Sequence, residues 1–180
     1  GDATMTWTIN GSGTATIDAS SNAYPNDITS AATGTVTIAK GQTDGSITFT
    51  LNDDAIDEWN ETFIVDLSNN NSFATASGNQ SITVTIDDES DNAPTINFTT
   101  TSGGTGVTES ASAASPIDID SKISLNGISG KDLWFSYATE GSPGTATANQ
   151  DYTPISGTFK ITAGSLTTTE NIELPILSDD

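Results

Sequence analysis

Apolar residues occupy every second position through most of this chain. Met5, Trp7 and Ile9 alternate with threonines, and the same alternation recurs at Val36 and Ile38, at Ile47, Phe49 and Leu51, and at Phe63, Val65 and Leu67. It continues at Ile82, Val84 and Ile86, at Ile96 and Phe98, and at Ile117, Ile119, Ile123 and Leu125. Leu133, Phe135 and Tyr137, then Phe159 and Ile161, then Ile172, Leu174 and Ile176 carry it to the end. A period of two places the apolar side chains of a segment on one face of an extended strand. Turn-forming stretches such as AKGQTDG, SNNNS, SLNGISGKD, EGSPG and TAGS separate the segments. No amphipathic helix of useful length is present, so the pattern predicts an all-β chain of antiparallel β-sandwiches.

The chain also repeats itself. GSGTATIDASSNAYPND followed by GTVTIAKGQTDGSITFTLNDD returns as GSPGTATANQD followed by GTFKITAGSLTTTENIELPILSDD, so 13–54 matches 144–180. The acidic, proline-containing DDESDNAPT marks the break, at about residues 89–94. The expected domains are a repeat over 1–89 that lacks its first strands and one over 95–180 that lacks its last. Missing strands leave open sheet edges. Residues outside this sequence, another molecule or a rearranged pairing are the three sources that would complete them. The opening GDATMTWTIN reads as the interior of a longer protein.

The acidic residues demand a second explanation. DDAIDEWNE, residues 53–61, holds Asp53, Asp54, Asp57, Glu58 and Glu61 without a lysine or arginine, and the whole chain sets 24 carboxylates against four lysines, a net charge of −20. That balance excludes nucleic acid as a partner and disfavours anionic membrane surfaces. No run of about 18 apolar residues exists to span a membrane. The chain has neither cysteine nor histidine, which removes disulfides, thiolate zinc sites and Ser-His or Cys-His catalysis. Only hard oxygen ligands remain, and these suit Ca²⁺ or Mg²⁺.

Strand direction brings distant carboxylates together. If Asp27 lies at one pole of a sandwich, strands 34–38 and 46–51 run away from it and back, which delivers 53–61 to the same pole. Strands 62–67 and 81–86 repeat the excursion and deliver Asp87, Asp88 and Glu89. The same walk gathers Glu109, Asp151, Asp179 and Asp180 in the second repeat. Like charges at ~4 Å repel by about 1 kcal/mol even in bulk water, so such a pole needs raised pKa values or bound cations. Ca²⁺ takes six to eight oxygens and tolerates irregular loops, and it suits the cluster better than octahedral Mg²⁺. The spacing matches neither an EF-hand nor a glycine-rich calcium nonapeptide.

Taken in order, VTES (Glu109), GTATANQDY (Asp151), GTVTIAKGQT, NDDAIDEWNETFIVDLSN and ITVTIDDE resemble the Calx-beta repeat. The resemblance covers nearly all of the chain, as the back of one repeat and the front of the next. It implies tandem immunoglobulin-like antiparallel β-sandwiches, incomplete at both chain ends, with Ca²⁺ at one end of each. The ligands it implies are Asp27, Asp53, Asp54, Glu58, Glu61, Asp87 and Asp88 in the first copy, with Asp57 and Glu89 as extras. In the second copy they are Glu109, Asp151, Asp179 and Asp180. The first copy lacks the early glutamate. The second lacks counterparts of Glu58 and Glu61, so weaker binding is expected there unless another segment completes the site. When the aspartate pairs are aligned, Ile172–Leu174–Ile176 runs one residue out of step with Ile47–Phe49–Leu51, a slip that a β-bulge would absorb.

The expected function is that of a calcium-binding extracellular module that rigidifies a large bacterial cell-surface adhesin. Its partners would be neighbouring repeats of the same polypeptide and a cell-surface ligand. Cations at the first repeat's acidic pole would sit where the linker leaves it. The alternatives are a regulatory calcium-sensor domain of a membrane transporter and a sugar- or peptide-binding adhesin domain. Paired carboxylates can hydrolyse glycosides, but no substrate cleft is legible and no enzyme is expected. Threonine rows (Thr35 and Thr37, Thr83 and Thr85) read as the solvent side of strands. Trp7 falls in core phase, Trp59 is placed to shield ions, and Trp134 falls out of phase with its neighbours.

Overall fold

Threonine alternating with Met5, Trp7 and Ile9 forms the first strand, β1 (Ala3–Asn10), whose apolar side faces inward. A computed structural model describes residues 1–21, 23–69, 78, 80–88, 91–99, 116–141 and 144–178. The chain divides into two units, Gly1–Asp91 and Asn92–Asp180.

In the first unit, β1 is central in a four-stranded antiparallel sheet with β2 (Thr33–Ile38), β3 (Glu61–Asn69) and β4 (Ser81–Ile86), in the order β2-β1-β3-β4. The register pairs Met5 with Val36, Trp7 with Leu67 and Phe63 with Val84, so apolar residues meet apolar residues across the sheet. Trp7, Ile9, Ile28, Val36, Phe63 and Val65 form the buried core. Phe49 wedges edge-on between Trp7 and Phe63, with ring centroids 5.2 and 5.1 Å away. On the other face Thr4, Thr6 and Thr8 stand opposite Thr37, Thr35 and Thr33, cross-strand pairs that suit a pleated surface.

The expected strand over 46–51 joins no ladder. Only Leu51 makes a bridge, antiparallel to Ile28. Ile47 and Phe49 nevertheless pack against the core. The alternation survives because it reflects burial. The ladder is absent because the matching stretch of the second unit pairs with residues that have no counterpart in the first.

That second unit holds β5 (Ile96–Phe98), β6 (Ile117–Asp118), β7 (Ile123–Leu125), β8 (Leu133–Ala138), β9 (Ser156–Ile161) and β10 (Glu173–Leu174). The antiparallel pairs are β5–β7, β6–β10 and β8–β9. A single strand over 117–125 was expected, but a 3-10 turn at Asp120–Lys122 splits it. Asp118 Oδ1 accepts from Ser121 N at 3.1 Å, and Asp120 Oδ1 accepts from Ile172 N at 2.8 Å. These local acceptors draw the backbone out of the ladder, and the segment changes partner from β10 to β5 across the turn. Ile123, Leu125, Phe159, Ile161 and Ile172 form this unit's core.

The two units share one template. Trp7 pairs with Gly34 in the first and Tyr137 with Gly157 in the second. Ile28 bridges Leu51, and Tyr152 bridges Ile176. Asn52 N donates to Asp27 O at 2.8 Å, and Leu177 N donates to Asp151 O at 2.9 Å. This register sets Ile172, Leu174 and Ile176 directly on Ile47, Phe49 and Leu51, so no bulge is required. It also sets Ser178 where Asp53 stands.

Candidate metal centre

The Ile28–Leu51 bridge ends the inward alternation at Asn52 and fixes Asp27 beside it. β3 begins at Glu61 and β4 ends at Ile86, paired with each other, so Asp87 and Asp88 emerge next to Glu61. The loop 53–60 crosses between these strand ends. The result is a hollow of about 70 Å³ lined by Asp27, Asn52, Asp53, Asp54, Glu58, Trp59, Glu61, Ile86, Asp87, Asp88 and Asp91.

Backbone and amide donors hold the loop in place. Asp27 Oδ2 accepts from Thr16 N at 2.6 Å and from Thr16 Oγ1 at 3.0 Å. Asp54 Oδ1 accepts from Ile56 N at 3.0 Å, a turn that aspartate forms with its own chain two residues on. Asp88 Oδ2 accepts from Glu58 N at 2.9 Å. Asn60 clasps the end of β4 twice: its Nδ2 donates to Asp87 Oδ1 at 2.8 Å and its Oδ1 accepts from Asp88 N at 3.3 Å.

The electrostatics are those of crowded like charge. Burial pushes the Glu61 carboxyl up to about 8, helped by a shared hydrogen bond with Asp27 and by the charges of Asp27 and Glu58. Glu61 Oε2 is buried without a hydrogen-bond partner. Burial also pushes Glu58 up to about 7, reinforced by Asp27, Asp54, Asp88 and Asp91. Asp91 is raised by loss of solvent and then by Asp88, Asp53, Asp54 and Asp57. The ion pair of Lys160 with Asp132, at 2.9 Å, belongs to the other unit.

Of the residues singled out from the sequence, Asp27, Asp53, Asp54, Glu58, Glu61, Asp87 and Asp88 line the hollow. Asp57 does not line it, but it is buried and adds to the field at Asp91. Trp59 lines it with most of its surface in solvent, 71% exposed. Asp151 lies in the second unit, where its Oδ2 accepts from Thr147 N and it lines a separate hollow with Tyr152 and Ile176. Glu89, Glu109, Asp179 and Asp180 fall outside the described residues. Sequence reasoning missed Asn52 and Asp91. Asn52 follows the last alternating residue of its segment and Asp91 sits within the acidic DDESDN stretch, and these were the signals available.

Among the described residues no three acidic side chains close on a common point as a formed metal site would. The donor set still fits a hard cation. It is all oxygen, it holds an unpartnered buried carboxylate oxygen on Glu61, and burial together with crowded like charge raises both of its glutamates.

Among models of known families, the Calx-beta domain matches this chain twice, over residues 12–90 and 90–180. Solved structures that resemble the chain include two described as CBD12. CBD12 from CALX1.2 is 21% identical, with 98% of this chain and 64% of that one covered and a TM-score of 0.40. The calcium binding domain CBD12 of CALX1.1 is 20% identical, with coverage of 99% and 64% and the same score of 0.40. This chain therefore spans less than two thirds of the length of either. No curated protein matches it. With its two family matches covering nearly the whole sequence in tandem, the chain belongs to the Calx-beta domain family.

Proposed function

We propose that the acidic hollow of the first unit binds calcium, and that the chain is a calcium-stiffened module of a larger extracellular repeat protein. The observation that carries this reading is Glu61, whose buried Oε2 has no partner and whose carboxyl is raised to about 8 beside Asp27. A bound cation supplies the positive charge that would let Glu58 and Glu61 ionise. Asp27, Asp53, Asp54, Glu58, Glu61, Asp87, Asp88 and Asp91 would provide carboxylate oxygens, and Asn52 an amide oxygen.

Asp91 links the site to the rest of the chain, since Asn92 begins the second unit. A cation shared by Asp91 and the loop 53–60 would restrain the backbone as it leaves the first unit. In this reading the module is a spacer in a cell-surface adhesin, its partners are neighbouring repeats, and it has no catalytic role. Millimolar extracellular Ca²⁺ would fill even weak sites.

Thermal unfolding in calcium and in chelator tests the proposal. Ligand binding to the folded state adds RT ln(1 + [L]/Kd), about 2.7 kcal/mol at a hundredfold excess over Kd. The melting temperature of the first unit should rise by many degrees in calcium, and coincident curves would refute the reading. A dissociation constant near micromolar would favour a sensor over a spacer.

A further inference from the structure

We propose that Asn126 is a self-modification site of the folded chain, where the backbone nitrogen of Gly127 converts the side-chain amide to aspartate or isoaspartate and so loosens the β5–β7 pair with age. The sequence offers this chemistry twice, at Asn10–Gly11 and at Asn126–Gly127. In an asparagine–glycine step the amide and its attacker are neighbours on one chain, so ring closure is intramolecular, and glycine has no Cβ to cover the attacking nitrogen. The fold does not ask for glycine at either place. A Cβ at Gly11 or Gly127 would meet nothing within 4 Å, and neither residue has the positive φ seen at Gly41, Gly78 and Gly164.

The leaving nitrogen separates the two sites. Both amide carbonyls are primed alike: Asn10 Oδ1 accepts from Ser12 N at 3.0 Å and Asn126 Oδ1 from Thr95 N at 2.8 Å. A donor there stabilises the oxyanion that attack creates. Asn10 Nδ2, however, donates to Asp66 Oδ2 at 2.6 Å. Hydrogen bonds from Ser81 and Asn10 hold the Asp66 carboxyl below the usual range. A fixed negative charge therefore pins the nitrogen that must depart and opposes the charge that builds on the carbonyl. Asn126 is exposed, and among the described residues nothing accepts from its Nδ2.

The step balances with water as the only co-reactant. Gly127 N gives its proton to water and bonds to Cγ, the Cγ–Nδ2 bond breaks, and Nδ2 takes up a proton and leaves as ammonia. Water then opens the cyclic imide at either carbonyl. Asn126 closes the end of the β5–β7 ladder: its N donates to Thr95 O at 3.1 Å while its side chain takes the Thr95 N–H. Isoaspartate carries the backbone through the former side chain, one carbon longer, and this clasp on Thr95 loses its geometry.

The full chain is incubated in mildly alkaline buffer and sampled by tryptic mapping, in which peptide 123–131 carries Asn126 as its sole asparagine. Asn126 should convert at least tenfold faster than Asn10 in the folded chain, and the two rates should converge in urea, where Asp66 no longer holds Asn10. Gly127→Ala should slow Asn126 at least tenfold with an unchanged melting curve, and Asp66→Ala should speed Asn10 alone. Amide exchange at Ile96 and Phe98 should quicken in the isoaspartyl fraction. Equal rates for the two asparagines in the folded chain, a gap that persists in urea, an Asn126 that stays intact or ignores Gly127→Ala, or unaltered exchange in β5 would each overturn the proposal.

Discussion

The indole of Trp7 occupies the space that a side chain at Gly34 would need: a Cβ there would stand 2.7 Å from the ring. Tyr137 covers Gly157 in the same way, but the nearest atom, at 2.8 Å, is the hydroxyl at the end of the side chain. An aromatic ring laid over a cross-strand glycine covers backbone that glycine leaves bare. Gly34→Ala should therefore cost about 1–3 kcal/mol, as overpacking does in a filled core, because Trp7 is buried and cannot swing away. Gly157→Ala should cost less, since Tyr137 can move its tip. Urea unfolding of the two variants checks the order.

The pH dependence of the metal-free protein should run opposite to common acid denaturation. Glu58 and Glu61 stand near 7 and 8 when folded, against 4.5 for an ordinary glutamate. Between pH 4.5 and 8 the folded chain holds protons that the unfolded chain has released, so stability falls as pH rises through that window. In chelator, the urea midpoint of the first unit should decline from pH 5 to 8.5. In saturating calcium the slope should flatten. A profile that rises with pH in chelator would contradict the raised values.

Glu61→Gln should change sign with the metal. In chelator it removes a carboxyl that must take up a proton to be buried at neutral pH and leaves an amide able to donate to Asp27, so the first unit should gain stability. The gain is on the order of 1 kcal/mol once solvent screening is allowed for, which is about 4–8 °C in a domain of this size. In calcium the same change deletes a ligand and should lower the melting temperature below that of the parent. Destabilisation under both conditions would mean that Glu61 is a packing residue.

Asp91→Asn should weaken calcium binding several-fold, read by calorimetry, while leaving the chelated melting curve within a degree or two of the parent. Asp91 lines the hollow but carries no core contact, so its loss should register in binding before it registers in folding.

Much of this was readable from particular residues. Phe63, Val65 and Leu67 announce a strand by alternation, and strand parity alone carries Asp27, Asp53 and Asp87 to one end, because each reversal returns the chain to the same pole. Parity is blind elsewhere. The 3-10 turn at Asp120–Lys122 inserts without disturbing the odd-numbered apolar positions, so 117–125 reads as one strand although it changes partner midway. Alternation at Ile47 and Phe49 reports which side faces the core and says nothing of whether a neighbour exists to hydrogen-bond. Asp91 lies past the last strand of its unit, beyond the reach of any parity argument. The second repeat's register is decided by the Tyr152–Ile176 bridge, and matching aspartates to aspartates pointed one residue away from it.

Ser178 falls where the other unit presents Asp53. Under the calcium reading, a hydroxyl in place of a carboxylate would weaken the second copy's hold on a cation. The duplicate would then serve as a reference carried within the same molecule, nearly deaf to an ion that its sibling hears, and a titration of the intact chain should separate into a responsive half and a quiet one.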